Sequence, residues 1–342
     1  MAACWPSAPI YTLLYDRRGT QDRFAGHRVV TSPLQRLPVR QGGFRRLLPL
    51  FPWAIGRLDV SGHDLVVSSS SAFAHGVQAA PGAVHVCYCH TPFRYAWYER
   101  DRAEAEVPRL LRPALRRTLG RVRRWDLDAS RNVSVYIANA EVTRERIARF
   151  YGREASIVHP PVEVDRFAAG EPGDAFLVVT ELVPHKRVEF ALRAARTAGR
   201  PVDVVGEGPD LARLQALYGD SATFHGRLGD AELAAMYSRA LALVVPNEEE
   251  FGIAAVEAQA AGRPVLAVDA GGPRETVVEG VSGVRVPFGD QDAMAEAMRE
   301  VDFRSFDPAA IRANAERFSV DKFQQRLRVA VAAAQRSAAT AA

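Results

Sequence analysis

Short apolar runs alternate with longer amphipathic stretches along almost the whole chain. The runs predict strands at residues 10–15, 64–68, 83–89, 133–138, 155–159, 175–180, 201–206, 222–225, 241–245, 264–268 and 283–286. In the first half, apolar residues at helical spacing predict helices over residues 44–58, 109–124 and 141–151. Strands that alternate with helices are typical of parallel sheets covered on both faces, so the pattern predicts an α/β fold.

The chain has 342 residues, enough for two doubly wound domains with a cleft between them. We expect a first domain over residues 1–160, a linker with prolines and polar residues at 161–174, and a second domain over 175–317. A doubly wound domain ordinarily opens with a strand, a glycine-rich turn and a helix. Only nine residues precede the strand at 10–15, so the first domain is expected to be an unusual variant or to lack that opening unit.

The composition excludes some classes of protein, and the charge distribution indicates what the two halves bind. Charged residues make up 25% and hydrophobic residues 48% of the chain, which excludes a disordered or collagen-like protein. Residues 1–170 carry a net charge of +10 and residues 171–342 a net charge of −6, an asymmetry that indicates different partners for the two halves. The chain has two lysines, Lys186 and Lys322, so a lysine inside a motif is notable.

The sequence predicts a cytoplasmic protein, attached at most to a membrane surface. Its three cysteines, Cys4, Cys87 and Cys89, are an odd number without the spacing of a disulfide framework. Residues 1–10 do not have the pattern of a signal peptide. No stretch approaches the roughly 20 apolar residues that a membrane span needs.

The strongest local signal is the run from Pro246 to Ala258, which follows a predicted strand and opens a helix. Ligands bind at the carboxyl ends of parallel strands, and the N–H groups at a helix start attract anions such as diphosphate. Glu249 lies ahead of the helix, and Glu257 follows about two turns later, which suits recognition of sugar hydroxyls. The alternative, that acids here merely complement the helix dipole, is preferred for Glu248 and Glu250.

Three further runs lie at predicted strand ends of the second half. Lys186 precedes a helix and can neutralise a diphosphate, although a lysine in such a place is ordinarily a surface residue. Gly206 and Gly208 allow a tight turn and a close backbone approach to a ligand. Gly271 and Gly272 begin a turn before a helix, and turn chemistry alone explains them equally well.

In the first half, His90 stands at the end of a predicted strand. The alternation of His85, Cys87 and Cys89 along that strand indicates one buried face rather than a zinc site. His90 is better placed to contact a ligand, and a purely structural histidine is the alternative.

A basic helix is predicted over residues 109–124, from Arg109 to Arg124, with seven arginines, no acidic residue and leucines at helical spacing. Such a helix fits an anionic membrane surface, and an ordinary solvated face over a core stripe fits as well. No nucleic-acid-binding motif is visible, so nucleic acid is not an expected partner.

In their order and spacing these motifs resemble the family-4 retaining glycosyltransferases of the two-Rossmann GT-B architecture, over about residues 10–327. Glu249 and Glu257, with Phe251 and Gly252 between them, match the Glu-x7-Glu motif of the family. The resemblance implies that Glu249 holds donor-sugar hydroxyls, that Glu257 holds the ribose of the nucleotide, and that Lys186 contacts the diphosphate.

The family usually has an arginine five positions before that lysine, where this chain has Glu181. Arg187 is the candidate substitute for the lost phosphate contact. The catalytic residues expected from the motifs are Glu249, Lys186 and His90. The expected donor-binding residues are Glu257, Phe251, Gly252, Ile253, Gly206, Gly208 and Arg187.

Residues 87–97 resemble a bacterial branch that acts in O-antigen and exopolysaccharide assembly, often as mannosyltransferases. The histidine of that branch falls on His90, which the resemblance places beside the donor sugar. Residues 318–342 look like the helix that crosses back to the first domain. Relatives have one more strand–turn–helix unit ahead of residue 10, so the resemblance also implies that this unit is missing here.

The expected function is retaining transfer of a hexose, with GDP-mannose the favoured donor and a glycan or polyprenyl-linked glycan the acceptor. No metal is expected, because no Asp-x-Asp motif stands where a diphosphate–metal complex would need one, and no cofactor is expected. An inactive relative that binds nucleotide-sugar or a partner is the alternative. An epimerase is a further rival, and a phosphorylase is disfavoured because Lys322 is the one late lysine available for pyridoxal.

Overall fold

The computed structural model describes residues 1–37, 43–105 and 107–341. The chain divides into two compact units. The first holds Met1–Val158 together with the chain from Gln324 onward, and the second holds His159–Phe323. Both units are built on parallel strands with helices between them, which confirms the predicted class of two α/β domains.

The strands of the first unit are all parallel, and they form two separate sheets. β1 (Ile10–Thr12) pairs with β2 (Val29–Thr31), a short strand that the sequence pattern did not predict. The larger sheet has the order β3-β4-β5-β6, with β3 (Leu65–Ser70), β4 (Val84–Cys89), β5 (Val135–Ala138) and β6 (Ala155–Ile157). All six residues of β4 are buried, as expected for a central strand covered on both faces.

The helices of the first unit are α1 (Phe51–Ile55), α2 (Arg94–Trp97), α3 (Arg100–Ala105), α4 (Arg112–Ser130) and α5 (Glu141–Tyr151). Prolines explain why two of them begin later than predicted. Gly43–Leu50 forms a 3-10 helix before α1, where Pro49 lacks the N–H that an α-helix needs, and Pro52 lies in the tolerant first turn of α1. A 3-10 turn at Arg109–Leu111 precedes α4, which has Pro113 in its tolerant first turn.

A cavity of about 500 Å³ lies within the first unit. Its mostly apolar lining includes Ile10 of β1, Val66 of β3, and Phe24, which lies between β1 and β2. β3 is an edge strand of the larger sheet, and β1 pairs with β2 alone among the described strands. Two sheet edges therefore contribute to the wall of this cavity.

A buried carboxylate ties three helices of the first unit together. Asp126 of α4 is fully buried and accepts hydrogen bonds from Trp97 Nε1 of α2 and Tyr151 Oη of α5, each at 2.7 Å. His75 Nε2 lies 3.3 Å from the same carboxylate. Burial raises the pKa of Asp126 and lowers the pKa of His75, since both charged forms lose hydration.

The second unit has one continuous sheet of six parallel strands in the order β12-β11-β10-β7-β8-β9. Its strands are β7 (Phe176–Val179), β8 (Val202–Val205), β9 (Ala222–Gly226), β10 (Leu243–Val245), β11 (Val265–Val268) and β12 (Gly283–Val286). The order changes direction between β7 and β10, and ligands bind at such a switch point in doubly wound sheets.

The helices of the second unit are α6 (Val188–Ala198), α7 (Leu211–Tyr218), α8 (Asp230–Arg239), α9 (Ile253–Ala260), α10 (Pro273–Thr276), α11 (Gln291–Glu300) and α12 (Pro308–Ala315). One face of the sheet packs on α6, α7 and α11 around buried residues such as Phe176, Leu192 and Met298. The central strands β10 and β11 are fully buried, which explains their continuous hydrophobicity.

The segment predicted as a linker, residues 161–174, packs as part of the second unit. Val162, Val164 and Phe167 are buried, and the Val162 N–H donates to the Phe318 carbonyl at 2.9 Å. The last helix, α13 (Val320–Ala341), begins in the second unit and continues in the first. In the part of the chain that the structure describes, no helix combines the length and apolarity of a membrane span.

His85 makes the stability of the first unit sensitive to pH. Burial, and secondarily the neighbouring His75, lowers the pKa of His85 to about 4, whereas the unfolded chain titrates near 6.5. The folded state thus binds fewer protons than the unfolded state between these values, and stability falls as the pH drops below 6.5. Asp126 acts in the opposite direction, because its raised pKa makes acid less costly for the fold.

We predict that His85 alone lowers the free energy of unfolding by about 2 kcal/mol between pH 7.5 and pH 5. All four tryptophans lie at residues 5, 53, 97 and 125, so urea unfolding followed by tryptophan fluorescence reports the first unit. The variant His85→Gln should lose this part of the pH dependence, and His27→Gln should keep it. An unchanged pH dependence in His85→Gln would contradict the prediction.

Candidate active site

Two sequence motifs meet at the switch point of the six-stranded sheet. Lys186 ends a 3-10 turn in the loop after β7, and Glu249 lies in the loop after β10. The Lys186 ammonium donates to both oxygens of the Glu249 carboxylate, with Nζ–Oε distances of 2.6 and 2.8 Å. The sequence predicted each residue separately for a donor site, and the structure brings them into direct contact.

The Lys186–Glu249 pair is largely shielded from solvent. The side chains are 22% and 20% exposed, and the buried Asn247 donates from Nδ2 to Glu249 Oε1 at 3.0 Å. Each charge in the pair neutralises the other. A cation and a carboxylate side by side can contact a ligand that carries both a phosphate and a hydroxyl group, at the cost of part of this ion pair.

Gly272 lets the turn after β11 hold the Glu249 loop by its backbone. The Gly272 N–H donates to the Glu249 carbonyl at 2.7 Å. A Cβ atom at Gly272 would lie 2.1 Å from the Phe251 carbonyl oxygen, closer than any side chain allows. Gly272 therefore does more than form a turn, because the absence of a side chain lets the loops after β10 and β11 come into contact.

Phe251 supports the loop from below rather than facing solvent. It is 3% exposed and packs against His159 and Phe318, with ring centroids 5.5 and 5.3 Å away. Gly252 has a left-handed φ of +85° directly before α9, and Ile253 is the first residue of the helix. The N–H groups of a first helical turn have no partner within the helix, so this end of α9 can receive an anion.

Glu257, the second acid of the pair, contacts a different set of residues. Tyr237 of α8 is fully buried and donates its hydroxyl to Glu257 Oε2 at 2.9 Å, and Arg166 lies 3.9 Å from Oε1. Burial raises the pKa of Glu257, because its charged form loses hydration. Tyr237 thus occupies one oxygen of the carboxylate, and Arg166 lies near the other.

Gly206 and Gly208 place the loop after β8 against the loop after β7. Gly206 has φ +144°, and a Cβ atom there would lie 1.8 Å from the Thr180 carbonyl oxygen. A Cβ at Gly208 would lie 2.3 Å from the Leu182 carbonyl oxygen. The sequence predicted that these glycines allow a close backbone approach to a ligand. In the structure they allow a close approach to the backbone of Thr180 and Leu182, in the segment that leads to Lys186.

Arg187, the candidate substitute for the missing phosphate contact, is stacked between two aromatic rings. Its guanidinium lies 4.6 Å from the ring centroids of both Phe190 and Phe288. Its backbone has a left-handed φ of +52°, which turns the chain between Lys186 and α6. The guanidinium of Arg187 thus packs on these rings, whereas the neighbouring Lys186 contacts Glu249.

His90 lies in the first unit, one residue beyond β4. Its Nε2 is 2.8 Å from Ser69 Oγ, and its carbonyl accepts a hydrogen bond from Thr143 Oγ1 at 3.0 Å. Burial lowers the pKa of His90, so the neutral imidazole is favoured. A neutral imidazole can both donate and accept a hydrogen bond.

Sequence reasoning missed the residues that hold the predicted ones, namely Asn247, Tyr237 and Ser69. Asn247 stands inside the motif of Glu249, and its amide was the one available signal. The sequence gave no such signal for Tyr237, because a tyrosine at helical spacing is ordinarily a residue of the hydrophobic core. The described residues contain no convergence of three His, Cys, Asp or Glu side chains of the kind that holds a metal ion.

Two family models match the chain, one for each half. The model described as "Glycosyltransferase Family 4" matches residues 10–166, and the model described as "Glycosyl transferases group 1" matches residues 163–317. Each model matches a little less than half of the chain, and together with the two-domain fold they support a glycosyltransferase of the GT-B architecture.

Named relatives agree with this class. The chain is 32% identical over 229 residues to a D-inositol 3-phosphate glycosyltransferase of Streptomyces bingchenggensis, a match that covers 54% of this chain and 50% of the relative. It is 31% identical over 256 residues to a GDP-mannose-dependent alpha-(1-6)-phosphatidylinositol monomannoside mannosyltransferase of Mycolicibacterium smegmatis, covering 65% of each. The chain thus spans between half and two thirds of these relatives.

Solved structures share the fold. HepE of Anabaena in complex with UDP and glucose superposes with a TM-score of 0.68 at 18% identity, covering 94% of this chain and 91% of that one. Sucrose-phosphate synthase of Thermosynechococcus elongatus superposes with a TM-score of 0.65 at 20% identity, covering 89% and 82%. At these identities the likeness concerns the architecture.

We predict that Tyr237→Phe destabilises the second unit by about 1–2 kcal/mol, because the buried Glu257 carboxylate loses a hydrogen-bond donor. Differential scanning calorimetry measures the effect, since the tryptophans report only the first unit. Tyr218→Phe is the matched control: Tyr218 is also buried, but its hydrogen bond to Glu189 is longer, at 3.3 Å. Equal losses in the two variants would argue against a special role for Tyr237.

Proposed function

We propose that the chain is a retaining hexosyltransferase that moves a sugar from a nucleotide-sugar donor to a glycan or lipid-linked glycan acceptor. The observation that carries the proposal is the Lys186–Glu249 pair at the switch point of the six-stranded sheet. A cation and a carboxylate side by side suit a ligand that joins a diphosphate to a sugar, and the family matches favour such a donor.

The chemistry of the transfer would rest on charge stabilisation of the leaving group. As the bond between the sugar and the diphosphate breaks, negative charge grows on the phosphate oxygens. The Lys186 ammonium and the first turn of α9 would stabilise that charge, which is ordinarily the largest electrostatic task of such a site. In this proposal these groups, rather than a metal ion, carry the stabilisation.

Glu249 would then hold hydroxyl groups of the donor sugar, and Glu257 would hold the ribose. An ionised carboxylate only accepts hydrogen bonds, so it recognises hydroxyl donors well. Asn247 and Tyr237 would keep the two carboxylates oriented, since each donates to one of their oxygens. We assign no carboxylate nucleophile. The family that the chain resembles is usually interpreted as front-face transfer, in which the acceptor attacks the sugar from the side that the leaving diphosphate occupies.

We carry His90 into the proposal as the catalytic residue of the first unit. Its lowered pKa keeps the imidazole neutral, so it can hydrogen-bond a sugar hydroxyl without adding positive charge. Mannose is the proposed sugar and GDP-mannose the proposed donor, because one relative is named as a GDP-mannose-dependent mannosyltransferase. Assembly of a cell-surface polysaccharide is the proposed setting, supported by the resemblance of residues 87–97.

An inactive relative that binds nucleotide-sugar without transfer is the second candidate. The direct contact between Lys186 and Glu249 gives it some support, because a stable ion pair lowers the gain from binding a donor. Turnover separates the two candidates, since both bind the nucleotide.

The test is release of GDP from GDP-mannose in the presence of a polyprenyl-linked glycan acceptor and EDTA. We expect turnover that EDTA leaves unchanged and a product with the α-configuration of the donor, as seen by proton NMR. Glu249→Gln should lower kcat by about 100-fold or more, because it removes an interaction with the sugar. Glu250→Gln, at the neighbouring acid, should stay within about threefold of the unaltered chain.

Binding of GDP-mannose without turnover would favour the inactive relative. Full activity in Glu249→Gln would refute the assigned role of that carboxylate.

We further propose that the chain is cytoplasmic and binds the inner face of the cell membrane through the segment from Arg109 to Arg124. Leu110 is 93% and Leu111 is 55% exposed, next to the basic start of α4. Apolar side chains beside arginines are the features with which a surface helix binds anionic lipid. Two of the arginines are already engaged, Arg116 with Glu104 and Arg123 over the ring of Trp97.

We predict that the protein sediments with vesicles of phosphatidylcholine and phosphatidylglycerol, and not with phosphatidylcholine alone. The double variant Leu110→Ser/Leu111→Ser should weaken binding about tenfold or more, because two apolar side chains no longer insert. Leu217→Ser, at an exposed leucine of the second unit, is the control. Binding that is equal to both vesicle types would contradict an electrostatic contribution from the arginines.

A further inference from the structure

β3 ends in a run of serines, and three of them each hydrogen-bond a different histidine. The Oγ–N distances are 2.9 Å for Ser68 and His85, 2.8 Å for Ser69 and His90, and 3.2 Å for Ser70 and His75. The middle serine of the three is thus bonded to the histidine that the proposed function uses.

The strand geometry separates the three serines onto two faces. Successive side chains of a strand point to opposite faces of the sheet, so Ser68 and Ser70 share one face. Both are buried, and their histidines belong to the polar cluster around Asp126. Ser69 is exposed on the opposite face, where His90 also lies.

The main chain of His90 is fixed from two sides. Its N–H donates to the Ser70 carbonyl at 2.8 Å, and its carbonyl accepts from Thr143. The ring meets the edge of the Tyr88 ring, with centroids 5.1 Å apart and planes at 87°. The hydrogen bond between Ser69 Oγ and His90 Nε2 fixes the orientation of the ring. Because a serine hydroxyl can donate or accept, this bond holds the ring in either tautomer.

We propose that Ser69 is a positioning residue that sets the ring orientation of His90. The inference rests on the proposed function, because His90 matters to the transfer only there. Ser69 holds Nε2 and thereby fixes the imidazole against rotation about the Cβ–Cγ bond. The buried Ser68 and Ser70 serve the fold instead, through His85 and His75.

The test compares four variants in the same transfer assay. We expect Ser69→Ala to lower kcat by about 10- to 30-fold with KM for GDP-mannose within about twofold, because a misoriented group costs rate rather than binding. Ser69→Thr keeps the hydroxyl on a residue that suits a strand, and it should recover kcat to within about threefold. Ser71→Ala, at the next exposed serine, should behave as the unaltered chain.

The fourth variant, Ser70→Ala, separates positioning from stability. It should lower the urea midpoint of the first unit, whereas Ser69→Ala should not. Nitrogen-15 NMR of the histidine rings supplies a readout that needs no activity. The unaltered chain and Ser69→Thr should show similar Nε2 chemical shifts for His90, and Ser69→Ala should show a displaced one, because Nε2 has lost its hydrogen-bond partner.

The two proposals fail in different ways. An absence of transfer together with the displaced Nε2 shift in Ser69→Ala would overturn the proposed function and leave the positioning role standing. An unchanged Nε2 shift and an unchanged kcat in Ser69→Ala, with active protein, would overturn the positioning role alone. Loss of activity that merely follows a lowered urea midpoint in Ser69→Ala would also overturn it.

Discussion

The candidate site depends on backbone packing against backbone at the carboxyl edge of the six-stranded sheet. The loop after β8 touches the loop after β7 at Gly206 and Gly208, and the turn after β11 touches the loop after β10 at Gly272. A Cβ atom at any of these positions would overlap a carbonyl oxygen. The loops can therefore lie close enough for Lys186 and Glu249 to meet only because these contact points lack side chains.

The two units differ in how their sheets are built. The second unit has a continuous sheet whose order reverses beside β7, and Lys186 and Glu249 meet at this reversal. The strands described in the first unit form two separate sheets, and a polar cluster of His75, Ser70 and Asp126 is buried in that unit. His90 follows one of its strands and is hydrogen-bonded to Ser69 of the neighbouring strand.

The sequence predicted the fold class well, because short continuous apolar runs between amphipathic stretches are typical of buried parallel strands. It also singled out Lys186 and Glu249, since both lie where strand ends meet helix starts, and the structure brings the two into contact. Their role in binding a donor stays a prediction. It did not predict β2, which is three residues long, or the 3-10 turns, where prolines override helical spacing. The supporting residues Tyr237 and Ser69 were missed because their partners are distant in the chain, and a tertiary contact leaves no local pattern.

The scarcity of lysine gives the ion pair a practical consequence. The chain contains two side-chain amines, and Lys322 is exposed on α13 whereas Lys186 is tied to Glu249. The Glu249 carboxylate covers the Lys186 ammonium, and the Lys186 side chain is 22% exposed, so an acylating reagent has little access to it. Lys322 is therefore the reactive side-chain amine of the folded protein. Acylation of Lys186 should therefore increase when a ligand separates the ammonium from Glu249. Mass spectrometry can measure this acylation at Lys186 alone, because the chain has one other lysine.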